Sequence, residues 1–449
     1  MEMVVNVKAT HIVRPAEARP DESMYINSCD QIKDIAHTPT IYLYNHSPSL
    51  EATNAVTVLK DSLSKALALF YPLAGRLRWS EAGGSRVELH CSGQGVPIFE
   101  AETDAAIADF EDFTPTKAIQ ALIPSVDYTA PLDQIPLVIA QLTRFRCGGV
   151  CLGLGISHVM ADGPSALHFV TEWTKFARGA GPIAPPFLDR KAVEIDDESR
   201  RFEFDPAVLR RPPQLIGAED SLEQRRKPIA VAFLPLSKVQ IEKLRGKANL
   251  GRVGAGRGYS RFESVAAHIW RCTSEARGHA AEQQTSLHFV ADFRNKLNPP
   301  LPKNYFGNAL IRVEATDKSG SLLAEPIGAA SRKIREAVEK VTDEGVRGYL
   351  EYLKKLEDVG RFRSLDNNGR PKGDFYGNPN LAIISWVGLP LYGTDFGWGN
   401  EIHVGPGPMG FDGKTFLIPD REGDGALNVA IWLQEDHMPA FKKCFYHNI

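Results

Sequence analysis

No stretch of this chain holds about 18 uninterrupted apolar residues, which excludes a membrane-spanning helix as its organising element. The opening MEMVVNVKATHIVRPAEARP has neither a long apolar core nor an Arg/Ser bias, so the sequence predicts a cytoplasmic protein. An excess of positive charge is also missing. The formal net charge is -3, which argues against a nucleic-acid binder or a basic membrane-surface protein. Cysteine is scarce: six residues, at 29, 91, 147, 151, 272 and 444, are too few and too scattered to staple the fold. Cys147 and Cys151 flank Gly148-Gly149-Val150, but no second close pair or nearby histidine completes a zinc set. Both read as core thiols, in a reducing compartment.

At 449 residues, with about 150 per domain, two or three domains are expected. Val56, Leu59, Leu63, Ala66, Leu67 and Phe70 recur at helical spacing, and Pro72 with Gly75 stops that helix. Residues 135–158 read as two strands around Gly148-Gly149, an antiparallel hairpin. In its second strand Val150, Leu152, Leu154, Ile156 and His158 share one face, and Cys151, Gly153, Gly155 and Ser157 the other. Alternate glycines in a strand fit either close approach of a ligand or backbone, or tight packing between sheets.

After the helix 164–179, residues 179–228 are rich in Pro, Arg and acidic residues and carry no sustained periodicity. A stretch of that length reads as a crossover. The second half restarts with a strand and helix at 230–248, a helix from Arg261, and an amphipathic helix near Pro326 carrying Ile327, Ala330, Ile334, Ala337, Val338 and Val341 on one face. Strands return at 381–390 and 426–434. Strands and helices mix without strict alternation, so the expectation is an α/β protein of two domains with mixed sheets.

ISHVMADG, residues 156–163, ends an apolar strand on a histidine, with an aspartate four residues on and a glycine after it. A neutral imidazole on a strand end is rigidly mounted and titrates near neutrality, as a general base requires. A satisfied core histidine remains the alternative for this motif taken alone. Near the other end, DFGWGN (395–400) combines an aspartate, two glycines and two large aromatics, a tight turn whose rings pack beneath a site.

Taken together, His158-x-x-x-Asp162-Gly163 and Asp395-Phe-Gly-Trp-Gly, in this order and at this separation, resemble the plant BAHD acyl-CoA-dependent acyltransferases. FYPLAGRLRW, PPLPKNYFGNAL and ISWVGLPLYGTDFGWG extend the resemblance over nearly the whole chain. TPTIYLYN, PFLDRK, FYGNPN and AFKKCFYHNI make it most similar to the spermidine hydroxycinnamoyl transferase branch.

The resemblance implies two chloramphenicol-acetyltransferase-like domains with a central channel between them: residues 1–190 with the histidine motif, a linker 191–228, and residues 229–449 with the DFGWG motif. It implies a monomer that takes hydroxycinnamoyl-CoA and a polyamine as substrates, with no metal or redox cofactor. His158 would deprotonate the acceptor nitrogen without forming an acyl-enzyme. Asp162 and Arg294, of the Asp292-x-Arg294 segment, would be a structural pair fixing the turn, while Asp395 is either catalytic or a turn residue. His37, Thr40 and Tyr42 would line the acyl pocket, and Ser385 or Trp386 would donate to the oxyanion. Gly388 stands where shikimate-directed relatives carry an arginine, which argues for a neutral or cationic acceptor. Asp374, Glu401 and Asp412 are the carboxylates available to a polyamine, and Tyr259, Ser260 and Arg261 the CoA contacts. The alternative reading is O-acylation of shikimate, quinate or another alcohol.

Overall fold

The computed structural model describes residues 3–18, 21–52, 54–194, 202–218, 221–252, 256–363, 375–408 and 410–449. Period-two alternation of branched and aromatic residues gives the strands of two large sheets. The principal elements of the first half are β1 (Asn6–Val13), β2 (His37–Tyr44), α1 (Ala55–Leu69), β3 (Val96–Thr103), β4 (Val138–Phe145), β5 (Val150–Ser157) and α2 (Gly163–Ala177). The second half contributes β6 (Ile229–Leu236), α3 (Lys238–Asn249), α4 (Arg261–Ala276), β7 (Gln284–Asp292), β8 (Leu310–Lys318) and α5 (Ile327–Glu339). There follow β9 (Leu381–Ser385), β10 (His403–Pro406), β11 (Lys414–Pro419), β12 (Leu427–Gln434) and α6 (Met438–His447).

The first six-stranded sheet has the order β1-β3-β4-β5-β2-β10 and the second β8-β7-β9-β11-β12-β6. Both are mixed. β3–β4, β7–β9 and β9–β11 are parallel, among antiparallel neighbours. The expected hairpin of β4 and β5 is present, with Gly148 at φ 82° in its turn. A Cβ on Gly153 would lie 2.0 Å from the Leu122 carbonyl oxygen, and one on Gly155 2.8 Å from Ile139 Cγ1. Those glycines therefore admit neighbouring protein, not a ligand. Cys151 is buried as expected, but Cys147 is exposed, because it falls in the hairpin turn and not on a strand.

Leu59, Leu63 and Leu67 of α1 and Phe169 and Trp173 of α2 pack on the face of the first sheet that carries Leu152 and Leu154. Burying each such side chain contributes about 1.5–3 kcal/mol. In the second sheet one face, with Leu287, Val313, Ile383 and Val429, is covered by α3, α4 and α5 through Ile241, Trp270 and Ile334. The opposite face carries Phe416, Ala430 and Trp432 and packs against Leu167 of α2, so it looks toward the first half.

The halves interlock. β10 comes from the second half but pairs with β2, His403 opposite Leu43 and Pro406 opposite Thr40. Conversely, Cys29 and Ile32 sit in the second core beside Trp270. A division at 190 and 229 thus separates most strands of the two sheets but not every segment. Where described, the crossover holds short helical turns only, Arg190–Val193, Pro206–Leu209 and Ser221–Arg226.

Candidate active site

His158 is the first residue after β5, at the end of a strand whose preceding face is apolar. Its position is fixed by its main chain. His158 N–H donates to the Ala36 carbonyl at 3.1 Å, Val159 N–H donates to the Asp34 carbonyl at 3.1 Å, and the His158 carbonyl accepts from Asn308 Nδ2 at 2.8 Å. Among the described residues, Nδ1 is buried and has no hydrogen-bond partner. A proton on Nδ1 leaves the Nε2 lone pair free to act as base. Burial, then the positive charge of Lys33, push the imidazole below its ordinary pKa, so it is neutral at pH 7.

Asp162 faces away from this ring. Its carboxylate takes a two-point contact from Arg294, Nη1 at 2.9 Å and Nη2 at 2.8 Å, and accepts from Ala309 N–H at 3.0 Å. It also caps α2 through Ser165 N–H at 3.1 Å. Burial works to raise its pKa, but the Arg294 guanidinium and these donors hold it below the usual carboxylate range. The pairing read from the sequence is present. Gly163 opens α2 without a positive φ, and a Cβ there would come within 3.1 Å of Leu389 Cδ1. Close approach of the 386–391 segment, not backbone freedom, explains this glycine.

A second buried group supports the same turn and was not singled out from the sequence. Arg190 Nη1 meets Asp30 at 2.6 Å, with both side chains sealed from solvent, and Nη2 donates to the Met160 carbonyl at 2.7 Å. Asn308 donates to Asp30 Oδ1 from both its main-chain N–H and its Nδ2, each at 2.8 Å. Arg190 lies in PFLDRK and Asn308 in NYFGNAL, stretches that carried the resemblance without a role for either residue.

Asp395 has a structural task, the turn role that its glycine-rich setting suggests. Its Oδ1 accepts from Gly397 N–H at 2.7 Å and Gly399 N–H at 2.9 Å, closing a turn in which both glycines have positive φ. The rings of Phe396 and Trp398 stack at 5.4 Å, Phe396 meets Trp173 edge-on, and Trp398 meets Tyr44 edge-on. The turn thereby clamps β2 to α2.

The three acyl-pocket residues do not share a face. Thr40 and Tyr42 stand opposite Leu154 and Leu152, on the side of the sheet that carries His158's apolar strand face, whereas His37 stands opposite Ser157 on the other side. His37 is also fully engaged: Tyr128 Oη lies 3.0 Å from Nδ1, and Nε2 donates to the Pro136 carbonyl at 2.8 Å. Burial pushes it down to about 4. His37 therefore lies on the opposite side of β2 from Thr40 and Tyr42, as alternation along the strand requires.

β9 ends at Ser385, so Trp386 begins a turn instead of continuing the strand. Its indole packs edge-on against Phe416 at 5.3 Å, and Ser385 Oγ accepts from Val387 N–H at 3.3 Å. Gly388 has φ 90°, a left-handed backbone that favours glycine. The missing arginine at 388 thus has a backbone cause.

The polyamine carboxylates do not assemble. Glu401 is buried and accepts from Gly393 N–H and Thr394 N–H. Asp412 is buried against Arg277 at 3.0 Å and accepts from Asn378 and Gln434 N–H. Both carboxylates are thus engaged by internal partners. Asp374 lies outside the described residues.

At the start of α4, Ser260 Oγ caps the helix through Glu263 N–H. Tyr259 lies between Arg252 and Arg335, their guanidinium carbons 5.0 and 5.3 Å from its ring centroid. Arg261 bonds Glu242 at 2.7 Å and stays partly exposed. These three residues are adjacent, and the arginines around them give the helix entrance a positive character suited to phosphate.

Two six-stranded mixed sheets, with a histidine at the end of a strand of the first, make up this architecture. Two solved structures share it: vinorine synthase (TM-score 0.72, 22% identity, covering 97% of this chain and 96% of that one) and F. graminearum TRI101 with coenzyme A and T-2 mycotoxin (0.75, 18%, 94% and 97%). The profile of the Transferase family matches residues 3–448, and the chain belongs to that family, the BAHD acyltransferases. It is 42% identical to the hydroxycinnamoyl-CoA:piscidic acid hydroxycinnamoyltransferase of Actaea racemosa over 451 residues, 99% of this chain and 100% of that protein. It is 37% identical to the shikimate O-hydroxycinnamoyltransferase of Nicotiana tabacum over 446 residues, 99% and 100%. Identity is 36% over 456 residues, 98% and 99%, to an Avena sativa hydroxycinnamoyl-CoA:5-hydroxyanthranilate N-hydroxycinnamoyltransferase.

Proposed function

We propose that this acyltransferase moves a hydroxycinnamoyl group from its CoA thioester to an acceptor hydroxyl or amine in one displacement, with His158 as general base. Nε2 removes the acceptor's proton as its oxygen or nitrogen attacks the thioester carbonyl carbon. The tetrahedral intermediate collapses by breaking the C–S bond, and the thiolate takes the proton back from the imidazolium. Nothing remains on the protein. The observation that carries this reading is the neutral, main-chain-anchored His158, whose Nε2 is left for the acceptor. Full-length similarity to hydroxycinnamoyltransferases supports the donor.

Spermidine is the acceptor favoured by sequence resemblance. Its support weakens once Glu401 and Asp412 are committed to internal bonds. The relatives' own acceptors, piscidic acid, shikimate and 5-hydroxyanthranilate, include both O- and N-nucleophiles. The test is mass spectrometry of the purified protein with coumaroyl-CoA and a mixture of spermidine, putrescine, shikimate and quinate, beside His158→Ala. A conjugate that vanishes in the variant supports the reading. Absence of thiol release with any acceptor refutes it.

A further inference from the structure

Three consecutive carbonyls follow β5, those of His158, Val159 and Met160, and side chains from remote parts of the chain hold all three. Asn308 Nδ2 donates to the His158 carbonyl at 2.8 Å and lies 3.3 Å from that of Val159. Arg190 Nη2 donates to the Met160 carbonyl at 2.7 Å, and its Nη1 lies 3.5 Å from that of Val159. Two buried carboxylates complete the frame. The main-chain N–H of Asn308 donates to Asp30 at 2.8 Å, and that of the next residue, Ala309, to Asp162 at 3.0 Å. Each acid has its own arginine, Arg190 for Asp30 and Arg294 for Asp162. The two ion pairs therefore straddle one strap of main chain.

They do different things there. Apart from carboxylates, Arg294 donates to Ser165 Oγ at 3.1 Å and to the Gly307 carbonyl at 3.0 Å, so its pair serves the start of α2. Arg190 instead reaches the turn that carries His158. It is set there from the crossover side: Phe187 N–H donates to the Asn304 carbonyl and Phe306 N–H to the Phe187 carbonyl, each at 2.9 Å. The chain just before Arg190 is thus stitched to the chain just before Asn308.

Stability alone does not account for this arginine. Its side chain is 1% exposed and that of Asp30 0%, and for so sealed a pair desolvation offsets most of the attraction. Apolar side chains of similar size are often at least as stable. Among the described residues Arg190 Nε has no acceptor either, which costs stability. What a guanidinium supplies and an apolar side chain does not is a rigid fork, here fixing Asp30 and two carbonyls at once. The main chain so fixed begins at His158, and a misplacement of 1 Å in a reacting group can lower a rate about 100-fold.

We propose that Arg190 is a positioning residue for acyl transfer: braced by Asp30, it holds the Val159 and Met160 carbonyls so that His158 Nε2 stays aimed at the acceptor. The proposal rests on the general-base reading and adds to it a residue at the entrance to the crossover. Both side chains are sealed, so they act through the turn and not on a substrate.

The test measures thiol release by the full-length protein from coumaroyl-CoA with whichever acceptor it uses, comparing the wild type with a double variant, Asp30→Asn with Arg190→Met. That variant strands no buried charge and keeps an oxygen for the Asn308 donors, so its urea midpoint should stay close to the wild-type value. Its kcat should nevertheless fall about 10- to 100-fold with neither KM changed. A loosened turn also admits water to the His158 ring, and the acid limb of kcat/KM should move up toward the ordinary histidine value. Lys33, Asp34 and Asp162, whose charges act on that ring, are untouched by the substitutions. Arg190→Lys keeps the charge opposite Asp30 but has one nitrogen where the guanidinium uses two, and should recover only part of the lost kcat. A double variant with wild-type kcat and an unmoved limb overturns the positioning role and leaves acyl transfer intact. Should the double variant fail to fold, Arg190→Lys decides: a lowered kcat at unchanged KM with a raised limb upholds the proposal, and wild-type kcat overturns it. No thiol release by the wild type with any acceptor overturns the general-base reading and the proposal together.

Discussion

Asn308 holds the backbone of His158: one Nδ2 bonds the His158 carbonyl and Asp30 Oδ1, each at 2.8 Å. The base is therefore aimed by a residue 150 positions away in the chain, on the approach to β8. Asn308→Ala should lower kcat more than it changes either KM. It should also cost about 1–3 kcal/mol of stability, since it leaves the Asp30 acceptor short of donors. Steady-state kinetics and urea unfolding of the same preparation separate the two effects.

Removing one side of the Asp162–Arg294 pair strands a buried charge. Asp162→Ala and Arg294→Ala should each destabilise by about 3–5 kcal/mol, visible as a large drop in the urea midpoint. The Asp162 carboxyl is held below its ordinary range, so the stability it supplies is present above its unfolded pKa. That stability is lost as pH falls through the folded value, and the variants should lose their disadvantage under strong acid.

Asp395→Asn keeps the size of the side chain but weakens its two glycine hydrogen bonds. The expected result is a lower melting temperature with an unchanged acid limb in the pH–rate profile. A shifted limb would return Asp395 to the proton-transfer chemistry.

The acid limb belongs to His158. Because burial and Lys33 depress its pKa, kcat/KM should stay high below pH 6.5, the ordinary histidine value, and fall only in more acidic buffer. A limb centred at or above the ordinary value would contradict the site described here.

Among the described residues, burial also lowers seven other histidines: His37, His268, His279 and His403 are pushed down to about 4, His288 to about 3, and His168 and His437 below their ordinary value. Unfolding lets each bind a proton at its ordinary pKa, so stability should decline as pH falls from about 6.5 toward 4. A fully buried one such as His268 accounts for about 2 kcal/mol at pH 5. Urea unfolding at pH 7.5 and 5 measures the sum.

Local signals in the chain gave the hairpin, α1 and α2, because each follows from short-range periodicity, whereas the Asp162–Arg294 pair was implied by the family resemblance. The glycines at 153 and 155 kept two readings open, since only the Leu122 and Ile139 atoms against them decide between neighbour and ligand. Glu401 and Asp412 show a related limit: an acid in a loop looks solvated until its N–H donors are known. His37 was different. Its odd position beside Thr40 and Tyr42 on one strand already put it on the other face.

β10 covers the outer flank of β2 with four residues drawn from far along the chain. Cut away from residues 403–406, the N-terminal portion would present the unsatisfied N–H and C=O groups of His37–Tyr44 to any strand in reach. Dividing this chain at its crossover thus yields a piece prone to pair with copies of itself, and the late strand serves the early sheet as a guard against aggregation.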